Sequence, residues 1–486
     1  MAAGDGKEDA GAVVVGGGPA GLAVALSLAS LGYDKIVVLE KADRSWDVDW
    51  VKSYCYRIDG HGLAWFSLLG LEPALAAASV PNPGNIAILP PEGTPVKTIQ
   101  SPMSNDKQRS YWLQRGDLLE LLHAEAQAQG VDVRFGCAFV GLNESSAAGG
   151  VWEVLVEDEE GSGEKLGAEQ RRVLRAPLVV GADGAGSRVR RCLEARDPAF
   201  TPVTLPHVTT GKHFKALRLL VPGEVAPSGV MAMVKGRDGA RLSFFPQRAD
   251  RHRVVGAGSL GRKSFADGAD LRSYLEGNFP TIDWSSALED SMADQFASHP
   301  GSWFPEVRFL RRLQLPAAAG RGGVALVGDA VHVFPPDLGQ GVNAALEDVA
   351  ELHRALLAAG SGKGPDTIAA GLQAYEDARL PDAQAVAHLL PIGAPYQYGQ
   401  PGGLEKVRWY ADFMARMAAN RLAPSLFNPP IVFSLQDPQY SYSQLLQMHN
   451  STTRSLLLAG AAIGLVVTAS AVGVYSRLAG RSSGGR

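Results

Sequence analysis

Apolar residues in this chain arrive in two rhythms. Short β-branched runs at Val13-Val14-Val15, Ile36-Val37-Val38-Leu39, Leu178-Val179-Val180 and Val324-Ala325-Leu326-Val327 have the length and composition of strands buried on both faces. Between the first two lies LAVALSLASLG, apolar at helical spacing, so the chain opens as strand, helix, strand. Residues 82–112 read as strands and turns, Gly116 to Gln129 as an amphipathic helix, and Val131–Phe135 and Val151–Val156 as further strands. The charged, glycine-rich stretch from Gly161 to Arg172 reads as a hairpin loop. From 200 to 315 the pattern alternates (LSFFPQ, RVVGAG), which predicts a separate antiparallel sheet with one or two helices. The segment from Leu380 to Asn450 is mostly helical in pattern, and no internal repeat is evident.

A last pattern closes the chain. Ser455 to Ser476 is 22 residues without a charge, bracketed by Arg454 and Arg477. At about 1.5 Å per residue such a helix spans roughly 33 Å, enough for a bilayer core. Its uniform apolarity lacks the polar face that a buried C-terminal helix would show. The expectation is a transmembrane tail anchor over 454–477, then a basic tail over 478–486. The start, MAAGDGKEDAG, is polar and has no signal-peptide core, so the domain before the anchor is expected in the cytosol.

Composition narrows the class. Lys and Arg number 46 against 50 Asp and Glu, a net charge of -4, which excludes an electrostatic nucleic-acid binder. The three cysteines (Cys55, Cys137, Cys192) are far apart, without zinc-ligand or disulfide-framework spacing.

The chemistry sits at strand ends. Val13–Val15 runs into Gly16-Gly17-Gly18-Pro19-Ala20-Gly21, and the second strand ends in Glu40, about 20 residues past the glycine turn, as a dinucleotide-binding βαβ unit requires. Gly16 permits the tight turn, Gly18 lets backbone approach a pyrophosphate, Gly21 lets helix and strand pack closely, and Glu40 is placed for a ribose. Two further apolar strands end in acids, at Asp183-Gly184 and Gly328-Asp329, the positions where open α/β sheets bind ligands. After Asp329 come Pro335-Pro336, Gly339-Gln340-Gly341-Val342-Asn343 and a helical run, an arrangement that lays backbone N–H groups against a planar, electron-rich ligand. His332 has no second histidine or carboxylate at ligand spacing, so no metal is expected, and packing or hydrogen bonding is the favoured role.

These three motifs, in this order, resemble those of the FAD-dependent single-component monooxygenases of the aromatic-hydroxylase type, and most closely kynurenine 3-monooxygenase and its relatives. The looser likenesses are Phe279-Pro280, the Arg379-Leu380-Pro381-Asp382 step, Tyr396-Gln397-Tyr398, Trp409-Tyr410 and the apolar C-terminus. The resemblance implies an α/β fold: a Rossmann-type FAD-binding lobe (12–81, 113–199, 316–379) interleaved with an antiparallel β-sheet substrate lobe (82–112, 200–315), then C-terminal helices (380–453) and one transmembrane helix. Residues 1–11 are expected to be disordered.

It implies FAD bound through Gly16, Gly18, Ala20, Gly21, Glu40, Arg115, Asp183, Gly184, Ser187, Arg190, Gly328, Asp329, Gly339, Gly341, Val342 and Asn343, with Pro336, Gly339, Gly341 and Asn343 beside the flavin ring. Tyr111, Phe245, Tyr396 and Tyr398 are candidate substrate contacts. The implied reaction uses NADPH or NADH and O2, and passes one oxygen atom to a small aromatic or hydrophobic substrate through a flavin C4a-hydroperoxide. A flavin reductase of isoprenoid lipids and a non-catalytic membrane flavoprotein are the rival readings. The implied location is the mitochondrial outer membrane, with the endoplasmic reticulum open. One departure bears on the substrate: where the kynurenine enzymes carry a carboxylate-binding arginine after a Pro-x-Arg step, this chain reads Val80-Pro81-Asn82-Pro83-Gly84-Asn85-Ile86. A less polar substrate is therefore open.

Overall fold

The structure, a computed structural model, describes residues 7–43, 51, 55–89, 97–100, 109–145, 150–158, 172–220, 229–248, 253–260, 264–317, 322–360, 364–398, 400 and 402–482. The side chains of 100, 253, 254, 258, 259, 365 and 463–482 lie outside the description.

The β-branched runs form the centre of a six-stranded sheet in the order Gln314–Pro316, Gly323–Leu326, Leu178–Gly181, Ala12–Val15, Ile36–Leu39, Asp132–Arg134. All neighbours are parallel except the edge strand Gln314–Pro316. Ala12–Val15, Leu178–Gly181 and Gly323–Leu326 are buried along their whole length, which is why they lack polar alternation. Because these strands are adjacent and parallel, their C-terminal ends bring the three glycine motifs to one edge of the sheet. The helices Pro19–Ser30, Arg115–Ala128 and Gly341–Ala358 contribute to the same apolar core.

A second six-stranded sheet runs Ala216–Leu219, Arg253–Ser259, Arg241–Phe244, Met231–Lys235, Asn85–Leu89, Lys97–Gln100. It is antiparallel except where Met231–Lys235 pairs Asn85–Leu89, and it has its own core with the helices Gly268–Asn278 and Asp290–Ser298. The alternation seen between 200 and 315 is this sheet's one-sided burial.

Three expectations change. Residues 7–9 are not disordered: Lys7–Asp9 pairs in parallel with Arg172–Ala176, tied by Arg175 to Asp9 at 2.8 Å. The boundary placed between 379 and 380 falls inside a single helix, Pro365–Leu389, which continues through Pro381. The C-terminal pattern belongs to a helix running Tyr442–Ser482. Among the described residues no helix is long and apolar enough to cross a membrane, and most of the expected span, from 463 on, has its side chains outside the described residues.

Candidate active site

At the first motif the glycines are dictated by space. Gly16 has φ +107, and a Cβ there would lie 2.4 Å from the Ala182 carbonyl oxygen, so the first strand and the Asp183 strand touch through it. Gly21 faces the Gly16 carbonyl in the same way. Gly18, by contrast, has nothing within 4 Å of a Cβ position. It precedes the helix Pro19–Ser30, whose N-terminus has no side-chain cap. Glu40 reaches the turn: its carboxylate accepts from Gly17 N at 2.7 Å and Ala42 N at 2.9 Å.

The third motif meets the first at Gly328, where a Cβ would sit 3.2 Å from that of Ala20. The helix Gly341–Ala358 also lacks a side-chain cap, and Gly341 too has open space beside it. Two uncapped helix N-termini and two empty glycine faces thus open on one edge of the sheet. Asp329 follows Gly328 on this edge. Its side chain is solvent-accessible, yet burial in the surrounding protein pushes its carboxyl above the usual carboxylate range, with the His332 charge opposing and Asp348 adding to the shift. A carboxyl on the same edge as open space and positive helix ends fits a ligand with an anionic pyrophosphate, a polyol chain and a flat ring. FAD is such a ligand.

The second motif is braced internally. Asp183 accepts from Arg188 N at 2.6 Å and Val189 N at 3.2 Å and from the Ser187 hydroxyl, which caps the helix Arg188–Glu194. Arg190 donates to the Ala185 and Ala330 carbonyls at 2.9 and 3.0 Å, clamping this motif to the third. Arg115 opens the helix Arg115–Ala128 directly after the strand Tyr111–Gln114.

Beneath the Gly339–Gly341 turn lies a buried polar network. Asn343 is fully buried and accepts from Asp59 N while donating to the Arg57 and Gly339 carbonyls at 2.9 and 3.1 Å. Its side chain therefore braces the turn from behind. Gln340 donates to Asp59 at 2.7 Å and accepts from the Tyr442 hydroxyl at 2.8 Å, which docks the long C-terminal helix against the turn.

Asp348 accepts from Gly328 N at 2.7 Å, His332 Nε2 at 2.9 Å and Arg379 Nε at 2.7 Å. His332 is thus a hydrogen-bonding residue whose partner lies 16 positions along the chain. Glu347 sits 2.9 Å from Arg379 and 3.2 Å from His61. Burial alone would raise its pKa; Arg379 and His61 outweigh that and hold it at about 2. Asp337, next to Pro336, accepts from His207 Nε2 at 2.6 Å and Thr209 Oγ1 at 2.8 Å, joining the β-sheet lobe to the turn.

A wall of aromatic rings borders the turn at its two ends, through Trp112 beside Arg57, whose Nη2 lies 3.7 Å from the Gly339 Cβ position, and through Tyr398 next to Gln397, which donates to the Asp337 carbonyl at 2.7 Å. Phe245 packs on Trp112 with centroids 5.7 Å apart. Across Gly256, whose missing side chain leaves Phe245 and Phe214 within 3.4 and 3.7 Å of the Cβ position, the wall continues to Phe304 and Tyr398. Of the candidate substrate residues, Phe245 and Tyr398 are in this wall. Tyr111 is not: adjacent strand residues face opposite ways, so Tyr111 packs on the nucleotide-lobe core and Trp112 meets Phe245. Tyr396 turns to Trp409 and Lys406 in the helical region. Trp112, Phe214 and Phe304 are the members the sequence pattern missed.

Comparison with known proteins agrees with this geometry. A family model described as FAD binding domain matches residues 9–389. Kynurenine 3-monooxygenase of Salinispora arenicola (strain CNS-205) is 26% identical over 495 residues, covering 96% of this chain and 97% of that protein. An uncharacterized aromatic compound monooxygenase of Bacillus subtilis (strain 168), YhjG, is 25% identical over 378 residues, 77% of this chain; the chain spans 66% of that relative, just under two thirds. Among solved structures, the tetrameric form of 2-methyl-3-hydroxypyridine-5-carboxylic acid oxygenase shares the fold with a TM-score of 0.57, at 22% identity over 79% of this chain and 90% of that one. The chain is an oxidoreductase and belongs to the FAD-binding-domain family of aromatic-hydroxylase-type monooxygenases.

Proposed function

We propose that the protein is an FAD- and NAD(P)H-dependent monooxygenase that inserts one atom of O2 into a small aromatic substrate. The observation that carries this reading is the open edge of the parallel sheet, with its uncapped helix ends and Asp329, bordered by a wall of aromatic side chains. Bound FAD supplies the redox chemistry, taking two electrons from the nicotinamide and activating O2. The chain's part is placement. The Gly18 turn and the Pro19 helix end would hold the pyrophosphate, Glu40 the ribose and Asp329 the ribityl hydroxyls. Gly339 to Val342 would lie along the ring, where the positive end of the Gly341 helix favours negative charge. Phe245, Trp112, Phe214, Phe304 and Tyr398 would seat the substrate ring and exclude water. The test is turnover under 18O2 with NADPH and with NADH across a panel of aromatic compounds. Substrate-stimulated oxidation of the nicotinamide with 18O in the product is expected. Reduction of a substrate in the absence of O2 would instead favour the isoprenoid-lipid reductase.

We further propose that the C-terminal helix anchors the protein in a membrane. Thr452 and Thr453 hold the helix to the body, whereas Leu457 and Leu458 are 69% and 72% exposed as it leaves. Beside its root lies the helix Gly403–Leu422, joined through Arg416 and presenting Leu404, Val407, Met414 and Met417 to solvent. Ending the chain at Arg454 is expected to move the protein from the membrane fraction to the supernatant with its FAD content unchanged. A truncated protein that still sediments with membranes overturns the anchor.

A further inference from the structure

Arg57 lies on the strand Cys55–Ile58, directly opposite Trp112 in the neighbouring strand Tyr111–Gln114. Its guanidinium carbon is 5.7 Å from the centre of the Trp112 ring, and Nη2 lies 3.7 Å from the Cβ position of Gly339, the first glycine of the flavin-side turn. Two donors here are buried without an acceptor, Arg57 Nε and Trp112 Nε1. Among the described residues no carboxylate is within ion-pair distance of Arg57. Asp59, the nearest acid in sequence, acts on Arg57 through space, but the hydrogen bonds its carboxylate accepts come from His61 N at 3.2 Å and Gln340 Nε2 at 2.7 Å.

An arginine keeps its charge in a protein, and a buried donor left without an acceptor is costly. Both orphans are donors, so among the described residues what the site lacks is an acceptor, and a guanidinium N–H is matched best by an anionic one. The surroundings fix its shape: Trp112 and Phe245 offer ring faces, and the guanidinium offers a planar fork that matches a carboxylate.

We propose that Arg57 is the specificity-determining residue of the substrate site, holding the carboxylate or phenolate of an aromatic substrate whose ring lies against Trp112 and Phe245, beside the Gly339 turn. This rests on the monooxygenase reading for the word substrate, and on the geometry alone for the anion. It also restores a place for an acidic substrate on a chain that has no arginine between Val80 and Ile86: the cation has come from a different strand.

The test uses the full-length, FAD-loaded protein, with binding read from perturbation of the flavin absorbance by benzoate and by its neutral isostere benzamide. Benzoate is expected to bind at least about tenfold more tightly, the low end of what a charge-assisted hydrogen bond contributes. Arg57→Met should abolish that preference and Arg57→Lys should keep part of it, with flavin content and ligand-free midpoint potential unchanged in both. Equal binding of the two probes by the unmodified protein, no benzoate binding, or intact benzoate preference in Arg57→Met each overturns the proposal. So does a shifted ligand-free potential in Arg57→Met, which would assign the cation to the reduced flavin. Absence of 18O incorporation alongside an Arg57-dependent benzoate preference would remove the monooxygenase reading and leave the anion site standing.

Discussion

Replacing Arg379 with methionine is expected to cost about 3–5 kcal/mol of folding stability, a large part of the roughly 5–15 kcal/mol that holds a typical domain together. Arg379 is 1% exposed and is the cation between the buried Asp348 and the half-buried Glu347, with Nε 2.7 Å from Asp348 and Nη1 2.9 Å from Glu347. Its remaining nitrogen donates to the Ala344 carbonyl at 3.1 Å. Methionine fills much of the volume but leaves both acids without their main counter-charge, so they must take up protons or admit water. The effect should reach the flavin. Asp348 holds Gly328 N and His332, and Glu347 holds His61, which stacks on Tyr442 at 4.6 Å. Urea unfolding at neutral pH is the measurement, with flavin content alongside. The triple change Arg379→Met, Asp348→Asn, Glu347→Gln should recover part of the loss, because what destabilises is the unpaired charge. A single Arg379→Met variant that unfolds within about 1 kcal/mol of the parent would show that the cluster is not ionic in the way the distances imply.

The legible parts of this molecule were those whose cause is local. A β-branched run ending in glycines needs no distant partner to declare a buried strand and a tight turn, so the three motifs are placed by the sequence alone. Their meeting followed from one more rule, that parallel strands end on the same side. What stayed hidden depends on partners far along the chain. His332 can be read from the sequence as packing or hydrogen bonding, but Asp348 cannot be named as its partner, since the two are brought together only when the turn folds back on its own helix. Arg379 stands out in the sequence as part of an Arg-Leu-Pro-Asp step, but its charge partners, Glu347 and Asp348, lie on the preceding helix and show no spacing that announces them. Tyr111 against Trp112 is a different failure. Both are aromatic and adjacent, and which one faces the β-sheet lobe is set by strand register, which a one-residue slip inverts. Asn343 shows the reverse case: a residue expected beside the flavin whose side chain is wholly used inside the protein.

Gly18→Ala and Gly21→Ala should both cost FAD, for opposite reasons, and the contrast tests the nucleotide site more sharply than either alone. At Gly21 a methyl group would sit 1.8 Å from the Gly16 carbonyl oxygen, a backbone atom that cannot swing aside. The helix Pro19–Ser30 must move off its strand, so the FAD-free protein itself should lose about 1–3 kcal/mol. At Gly18 a methyl group meets nothing within 4 Å, and the backbone there, φ -74 and ψ -179, is one that alanine adopts freely. The FAD-free protein should therefore melt as the parent does. The space that methyl would enter is nevertheless the space a pyrophosphate needs to reach the helix N-terminus, so FAD affinity should fall by about tenfold or more. Thermal melts of the FAD-free forms, followed by flavin titration, separate the two effects. If Gly18→Ala binds FAD as tightly as the parent, the pyrophosphate does not approach through that gap, and the opening beside the first glycine turn has some other use.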